Sequence, residues 1–448
     1  MTAVEALVAT PPQPGDARPY RFPEITREQP GGPVVAAHLP NQPLAVATLL
    51  LDAGAGREPA DRAGVASVLA ESLEEGTRRR DAAAYALALE GLGTGLATSV
   101  DWDSMRISVE VPVERLAEAV ALLAEAVRTP LLEPADLERK RDDELTAARM
   151  RWANPGPRAD AALRGALFTD RYARPPHGDP ESIAVIGAQD VLDFHAAWLT
   201  RPGTLLVAGN LDRLDLSALG AAAFAGVTAA DEPRPGPIAP PADVARRMLL
   251  VDRPGSVQST LLLGHHAPPR ADPDFVPMTL AGTVLGGAFS SRLNHLIREV
   301  RGYTYGIRAE FGQARRFGTF RVNTAVQTAV TGPALTDTVA EITRTRAEGV
   351  TEEELALART WRAGQLSVDM QTPGAIAAAL ATLALHDLPD DYFVTLREQY
   401  LGATVPDVSA AAARHLNPEA LTIVVEGDGA TVRDGLTATG LGEVVDAG

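Results

Sequence analysis

Residues 286–306, GGAFSSRLNHLIREVRGYTYG, determine how the rest of the chain is interpreted. The two leading glycines allow a turn, and the hydroxyl of Ser290 or Ser291 can cap a new helix. The apolar side of this helix consists of Leu293, Leu296 and Ile297. Gly302 predicts the end of the helix, because glycine readily adopts the left-handed conformation found there. The stretch therefore predicts a turn, a helix and the start of a strand.

Two side chains of this stretch are candidates for binding a ligand. Arg298 falls in the last turn of the predicted helix and Tyr305 at the start of the predicted strand, so the two can converge on one spot. Each has a purely structural alternative. A cation in the last turn complements exposed helix carbonyls, and a tyrosine on a strand is commonly half-buried packing. Spacing alone leaves both interpretations open.

Length and composition limit the classes of protein to which the chain can belong. Its 448 residues predict two or more domains. The 41 basic and 58 acidic residues give a net charge of −17, which argues against nucleic acid or an anionic membrane as the main partner. The chain has no cysteine, which excludes disulfides and thiolate zinc sites. The N-terminus does not resemble a signal peptide and the uncharged stretches are too short to span a bilayer, so we expect a cytoplasmic protein.

The predicted elements occur in the same order twice. Residues 44–54, LAVATLLLDAG, parallel residues 256–266, SVQSTLLLGHH, at an offset of 212 residues that aligns Thr48 with Thr260. In each copy the strand leads through a charged, Pro-containing turn into an apolar helix. An alternating strand and two further helices follow, and in the second copy Thr351 and Glu354 form the capping box of a long helix. A fixed offset between two such sets indicates an internal repeat.

The repeat divides the chain into four parts. We predict an extended lead-in at 1–30, a first domain at 31–230, a Pro-rich linker at 231–241 and a second domain at 242–448. Predicted strands of the first domain are 34–37, 44–51, 99–111 and 204–208. Its predicted helices are 62–75, capped by Asp61, then 81–92, 116–127, 134–152 and 183–198.

Residues 286–306 resemble the second-half signature of the pitrilysin or insulinase type of zinc peptidases, which include the mitochondrial processing peptidase and two-subunit bacterial relatives. In that family an arginine and a tyrosine seven positions later hold substrate, and they correspond here to Arg298 and Tyr305. The match covers nearly the whole chain from residue 30 onward. The resemblance implies an α+β fold. Its two similar domains have mostly antiparallel sheets and flanking helices, and they form a clamshell around a chamber.

The resemblance also implies where a zinc site should lie. The motif H-x-x-E-H places two imidazoles and a catalytic glutamate on one face of the first helix of the first half. The corresponding stretch is 64–77, GVASVLAESLEEGT, in which Ser67 and Glu71 stand at the histidine positions and Ala70 at the glutamate position. Glu144 lies near the position of the family's downstream carboxylate ligand. Carboxylates without an imidazole do not make a zinc site, so we expect no metal or cofactor on this chain.

Other polar groups do not supply a replacement site. His265 and His266 are adjacent on a predicted strand and point to opposite faces. His177 lies in a Pro-Gly turn, where a solvated ring is expected. Asp101 and Asp103 are predicted to share one strand face, and a solvated face is favoured over a catalytic carboxylate pair.

The resemblance therefore predicts a non-catalytic subunit of a heterodimeric zinc metallopeptidase that acts on short or unfolded peptides. Arg298 and Tyr305 would hold the peptide substrate, while a homologous active chain carrying H-x-x-E-H supplies zinc and the general base. Two alternatives stay open. One is a peptide-binding or assembly scaffold without a proteolytic role, and the other is a zinc peptidase with a rearranged site.

Overall fold

Two six-stranded β-sheets organise the chain. The computed structural model describes residues 20–29, 32–227, 236, 238 and 245–447. Most of the predicted linker at 231–241, and most of the predicted lead-in at 1–30, therefore lie outside the described residues.

The first sheet is built from residues of the first half. Its strands are β1 (Ile25–Glu28), β2 (Val34–His38), β3 (Leu44–Leu51), β6 (Ala97–Val100), β7 (Met105–Pro112) and β8 (Thr204–Gly209). They lie in the order β1-β2-β8-β3-β7-β6, and every neighbouring pair except β2 and β8 is antiparallel. Two short strands, β4 (Gly76–Thr77) and β5 (Arg80–Asp81), pair separately.

The second sheet repeats this arrangement. Its strands are β9 (Arg247–Asp252), β10 (Gln258–Ala267), β11 (Ile307–Gln313), β12 (Gly318–Gln327), β13 (Thr422–Gly427) and β14 (Val444–Asp446). The order β11-β12-β10-β13-β9-β14 makes β9 to β13 the counterparts of β2, β3, β6, β7 and β8. Thr48 of β3 pairs with β7 and β8, and Thr260 of β10 pairs with β12 and β13. The predicted α+β fold with an internal repeat is confirmed.

Helices flank both sheets. Those of the first half are α1 (Val65–Ser72), α2 (Ala82–Glu90), α3 (Leu116–Arg128), α4 (Pro134–Ala153), α5 (Pro157–Leu167), α6 (Pro180–Ala184), α7 (Ala188–Phe194) and α8 (Leu216–Ala223). Those of the second half are α9 (Phe275–Gly282), α10 (Asn294–Val300), α11 (Thr331–Glu348), α12 (Glu352–Asp369), α13 (Pro373–His386), α14 (Tyr392–Gly402), α15 (Val405–His415) and α16 (Gly429–Ala438). The predicted capping box of Thr351 and Glu354 forms at the start of α12.

No single helix in the described ranges combines the length and the apolar composition needed to cross a membrane. Helices α12 and α13 meet that test only together, as a pair bent by 114°. In this fold the apolar residues of α13, such as Leu380, are buried against protein.

One helix of each half lies on the sheet of the other half. Helix α5 contacts β9, β10 and β13 of the second sheet, and helix α13 contacts β2, β3 and β8 of the first. Leu163 of α5 belongs to a buried cluster with Leu262 and Val424. The sequence did not predict this exchange, which places apolar contacts between the halves.

A buried ion pair fixes the turn that leads into α5. The Glu426 carboxylate accepts hydrogen bonds from the Gly156 backbone N–H (2.8 Å) and from Arg253 Nε (2.9 Å). Arg253 also donates to the carbonyls of Ala153 (3.0 Å) and Asn154 (3.1 Å). Because the Glu426 side chain is fully buried, these bonds offset its desolvation cost and hold the end of α4 to the second sheet.

The predicted single strand at 99–111 is wrong, because a turn divides it into β6 and β7. Asp101 Oδ1 accepts from the N–H groups of Asp103 (2.8 Å) and Ser104 (2.7 Å), as is usual for aspartate in turns. Asp101 and Asp103 therefore do not share a strand face. Asp103 instead accepts from the Tyr172 hydroxyl and from the Arg315 N–H (both 3.1 Å), a contact between the two halves.

Two smaller predictions also differ from the structure. The first-half helix predicted at 62–75 runs only over α1, and its N-cap is Gly64, in the left-handed conformation, instead of Asp61. The described part of the lead-in contains strand β1, which pairs with β2. A four-residue edge strand with polar residues gives too little alternation to be recognised in a sequence.

Candidate functional site

The stretch 286–306 forms a helix followed by a loop, largely as predicted. Helix α10 is π-helical, and Gly302 ends it with φ of +65°. The predicted serine cap is wrong, because α10 has no side-chain cap. Ser291 Oγ instead lies 3.1 Å from Asn294 Nδ2, which donates to it.

Asn294 fixes the loop that carries Tyr305. Its Nδ2 donates to the carbonyls of Ile307 (2.8 Å) and Ala288 (3.2 Å), and its Oδ1 accepts from the Ile307 N–H (3.3 Å). On the other side of the loop, Thr324 Oγ1 donates to the Gly306 carbonyl at 3.0 Å. The backbone around Tyr305 is therefore held at its C-terminal side by side chains of α10 and β12.

Arg298 and Tyr305 both lie at the surface of this segment. The Arg298 guanidinium sits 4.4 Å above the centre of the Phe289 ring, and Phe289 is itself 68% exposed. Tyr305 is 96% exposed and precedes β11 by two residues, in the loop instead of the strand. No carboxylate of the described ranges pairs with Arg298. Both side chains are thus available to a ligand, although no hydrogen bond joins them in this state.

A cavity of about 710 Å³ opens beside the Tyr305 loop, between the two halves. Gly306, Ile307 and Arg308 line it from the second half, together with β10 and β12. The first half contributes the turn before α5 and the carboxylate of Asp160. A cavity of about 300 Å³ occupies the equivalent position in the first half, where β3, β6 and β7 face α13. The internal repeat thus includes the cavities.

Among the described residues that line the larger cavity, the one carboxylate of the first half is Asp160, and it is paired with two arginines. Asp160 accepts from Arg164 Nε at 2.6 Å and also pairs with Arg321 of β12. Although burial raises it, the two guanidinium groups bring the pKa of Asp160 below its usual value. Asp160 therefore stays ionised and joins α5 to the second sheet.

The helix at the family's zinc position carries no usable ligand set. Ser67 and Ala70 of α1 are buried, and Glu71 is exposed. Ser67 Oγ lies 3.0 Å from Nδ1 of His177, whose ring is otherwise exposed in its turn. Glu144 Oε1 accepts from Arg151 Nη2 at 2.7 Å.

These residues do not fit zinc. A methyl group has no lone pair, a neutral hydroxyl is a poor ligand, and Glu144 is already paired with a cation. The group of three ligand-type side chains found among the described residues lies elsewhere, at Asp272, Asp274 and His415. There Asp274 already pairs with Arg414 Nη2 (2.8 Å) and His415 Nε2 (2.6 Å).

The two adjacent histidines have separate structural roles, and the prediction that they face opposite ways is confirmed. His265 is buried and stacks on Phe320, and its Nε2 accepts from the Asn417 N–H at 3.1 Å. Burial lowers the pKa of His265 to about 4. His266 Nε2 lies 2.6 Å from the Leu167 carbonyl at the end of α5.

A buried carboxylate caps helix α1. Glu58 is 1% exposed and accepts from the backbone N–H groups of Gly64 and Ala66, both at 3.0 Å. Burial raises the pKa of Glu58 to about 7, although these N–H groups and the Arg174 and Arg171 cations lower it. The sequence pattern did not predict this role of Glu58, because six positions separate the residue from the helix.

The Glu58 carboxyl should make stability depend on pH. Its raised pKa means that the folded chain binds a proton between about pH 4.5 and 7 where the unfolded chain does not, so stability is lost as the pH rises through this window. We expect this group to lower the free energy of unfolding by roughly 2–3 kcal/mol between pH 5 and pH 8. Urea unfolding at both pH values should show that Glu58→Gln removes this difference. Glu71→Gln, at an exposed position of α1, should keep it, and an unchanged pH dependence in Glu58→Gln would contradict the assignment.

The fold and the site agree with one class of protein. Two equivalent α+β halves, a half-buried arginine with an exposed tyrosine in the second half and a helix without imidazoles in the first match a duplicated peptidase fold. The family model described as Insulinase (Peptidase family M16) matches residues 33–177. The model described as Peptidase M16 inactive domain matches residues 186–360. The chain belongs to this family, the pitrilysin or insulinase family.

Relatives of similar length support the family assignment. An uncharacterized zinc protease of Mycobacterium tuberculosis is 27% identical over 396 residues, which cover 86% of this chain and 89% of the relative. The non-peptidase homolog YmxG of Helicobacter pylori is 24% identical over 397 residues, with the same coverage of both chains. The crystal structure of a peptidase M16 inactive domain from Pseudomonas fluorescens superposes with a TM-score of 0.81 at 26% identity, over 90% of this chain and 98% of that one. One relative is named a protease and another a non-peptidase, so their names do not decide the function of this chain.

Proposed function

We propose that this chain is the non-catalytic, substrate-binding subunit of a heterodimeric zinc metallopeptidase that acts on short or unfolded peptides. Zinc and the general base belong to a homologous active subunit that carries H-x-x-E-H. One observation carries the proposal. The second half presents a half-buried Arg298, whose guanidinium contacts the Phe289 ring, and an exposed Tyr305 on a braced segment, while the zinc helix of the first half has no imidazole.

The sheet edge beside Tyr305 suits an extended peptide. Strand β11 is the outer strand of the second sheet, so one row of its backbone N–H and C=O groups is open to pair with an added strand. A peptide bound there presents its carbonyl oxygens near the loop at 303–306. Arg298 then donates to one carbonyl through its planar guanidinium group, and Tyr305 donates through its hydroxyl. When the peptide bond is cleaved at the metal site of the partner, negative charge develops on this oxygen. Both donors stabilise that charge.

The chamber restricts the class of substrate. Its walls are the second sheet and the start of α5, and its volume of about 710 Å³ admits a few residues of an extended chain. Folded proteins do not present such a segment. Short or unfolded peptides are therefore the proposed substrates, with neither nucleic acid nor a membrane surface as partner. A cytoplasmic location is part of the same proposal.

A second candidate function is a peptide-binding or assembly scaffold without a proteolytic role. The similarity to the non-peptidase homolog YmxG favours it. The two donors at the surface count against it, because an assembly scaffold does not require an arginine that polarises a carbonyl beside a sheet edge. A zinc peptidase with a rearranged site is not proposed, since the donor set does not fit the metal.

Co-expression with a homologous chain that carries H-x-x-E-H tests the proposal, with cleavage of a quenched fluorescent peptide as the assay. We expect each chain alone to be nearly inert and the purified mixture to be active and heterodimeric by size-exclusion chromatography with light scattering. A partner chain that is fully active alone would contradict the proposal. Purification as a homodimer that binds the peptide uncut would favour the scaffold.

A further inference from the structure

Arg151 forms an ion pair with Glu144, the residue near the position of the family's downstream carboxylate ligand. Its Nη2 donates to Glu144 Oε1 at 2.7 Å, from seven residues further along α4 and so on the same face of the helix. The Glu144 side chain is 13% exposed and that of Arg151 is 37% exposed. Glu144 thus already has a charged partner.

His177 connects this ion pair to the former zinc helix. Its Nδ1 lies 3.0 Å from Ser67 Oγ, at the position of the first family histidine. The pKa of His177 is lowered, first by partial desolvation of the ring and then by the Arg151 guanidinium, against the opposing effects of Glu144 and Asp101. Arg151 and Glu144 thus act on the ring in opposite directions. The Ser67 contact joins α1 to the turn around residue 177, and α1 itself packs on α4.

We propose that the Arg151 guanidinium takes the place of the metal ion at Glu144, so that this chain binds zinc more weakly than it otherwise would even when the lost ligands are restored. The inference concerns the first half alone and does not depend on Arg298, Tyr305 or a partner subunit.

The electrostatic reason is that the Arg151 guanidinium and a zinc ion would both have to lie at the Glu144 carboxylate, where they repel each other. Without a metal, Glu144 would be a largely buried carboxylate with no partner, which is costly, and Arg151 compensates it. A zinc ion bound by Glu144 and two restored histidines must either displace the guanidinium or sit beside it. Like charges a few ångströms apart repel strongly at a protein surface, and a singly charged guanidinium beside a doubly charged metal doubles the repulsion.

Zinc titration of metal-free protein by isothermal calorimetry tests the proposal. One variant restores the motif with Ser67→His, Ala70→Glu and Glu71→His, and a second adds Arg151→Ala. We expect the second variant to bind one zinc ion with a Kd at least about tenfold lower than the first. The matched control adds Arg149→Ala, an exposed arginine of the same helix, and should bind like the first variant. Equal zinc affinity with and without Arg151 overturns the proposal.

If the variants with the restored motif do not fold, the Tm of variants of the native chain tests the same ion pair. Arg151→Met leaves Glu144 unpaired and should lower the Tm, by about 2 °C, whereas Arg149→Met should leave it unchanged. The double variant Glu144→Gln with Arg151→Met should recover most of the loss, because the two side chains are coupled. Additive effects of the two substitutions would show that Arg151 does not compensate Glu144, and would overturn the proposal equally.

Discussion

Replacing Arg298 with alanine should lower kcat/KM of the two-chain peptidase by about a hundredfold or more, because removing one donor to a developing oxyanion typically has that effect. The loss should appear mainly in kcat if Arg298 acts in the transition state. Arg298→Lys should recover only part of it, since an ammonium group keeps the charge but not the planar fork. Tyr305→Phe, which removes only the hydroxyl, should cost about tenfold or more. Initial rates with a quenched peptide at several concentrations give both constants.

Two neighbouring residues provide matched controls for this prediction. Arg301 lies on the same segment, but its Nε donates to Asp337 of α11 at 2.8 Å, so Arg301→Ala should leave the rate nearly unchanged. Tyr303 is partly buried against the core of the second half, so Tyr303→Phe should likewise have little effect. All variants should still form the heterodimer. If Arg298→Ala is as active as Arg301→Ala in an intact heterodimer, the segment does not bind the reacting carbonyl.

The sequence predicted the fold because the repeated element is strongly patterned. The aligned strands around Thr48 and Thr260 share the sequence Thr-Leu-Leu-Leu, and both lie in the middle of their sheets. Alternation at 105–111 correctly predicted β7 as a strand with one buried face. The same alternation could not reveal the turn at Asp101, where bonds to nearby N–H groups decide the backbone conformation.

The candidate site was only partly predictable. Family resemblance drew attention to Arg298 and Tyr305, and both lie on the segment beside the chamber, although their role remains a proposal. Asn294, which holds the loop in place, was missed, yet a polar residue inside an otherwise apolar helix face is a recognisable sign of a buried hydrogen bond. The contact of Ser67 with His177 could not have been found from spacing, because 110 residues separate the two.

The exchanged helices could not be predicted from periodicity at all. An apolar stripe on α5 or α13 shows that one face of the helix is buried, but not which sheet covers it. The two sheets of a repeat present similar apolar faces, so each helix fits either sheet by composition. The short connections between elements determine which sheet each helix covers. The turn between α4 and α5 is clamped by Glu426 and Arg253 of the second half, which directs α5 away from its own sheet.

Because of this exchange, neither half should fold alone. Fragments 1–230 and 242–448, expressed separately, should be insoluble or lack cooperative unfolding, whereas co-expression should yield a soluble complex. In the first fragment the loss of α13 exposes the face of β2, β3 and β8 that carries Val46 and Leu206. Exposed apolar surface of this kind favours aggregation. In the second fragment the loss of α5 uncovers Leu262 and Val424 and removes the Gly156 N–H from the buried Glu426 carboxylate.

Cleavage of the folded protein at a protease site inserted between residues 230 and 242 tests whether the halves stay together without a covalent linker. The cut protein should stay associated through gel filtration and unfold in one thermal transition, because the exchanged helices hold the halves together without the linker. A first fragment that unfolds cooperatively by itself would show that α13 is dispensable to the first sheet. If the halves cannot separate, opening of the chamber is limited to small displacements. A peptide must then enter along the open edge of β11, the strand that follows Tyr305.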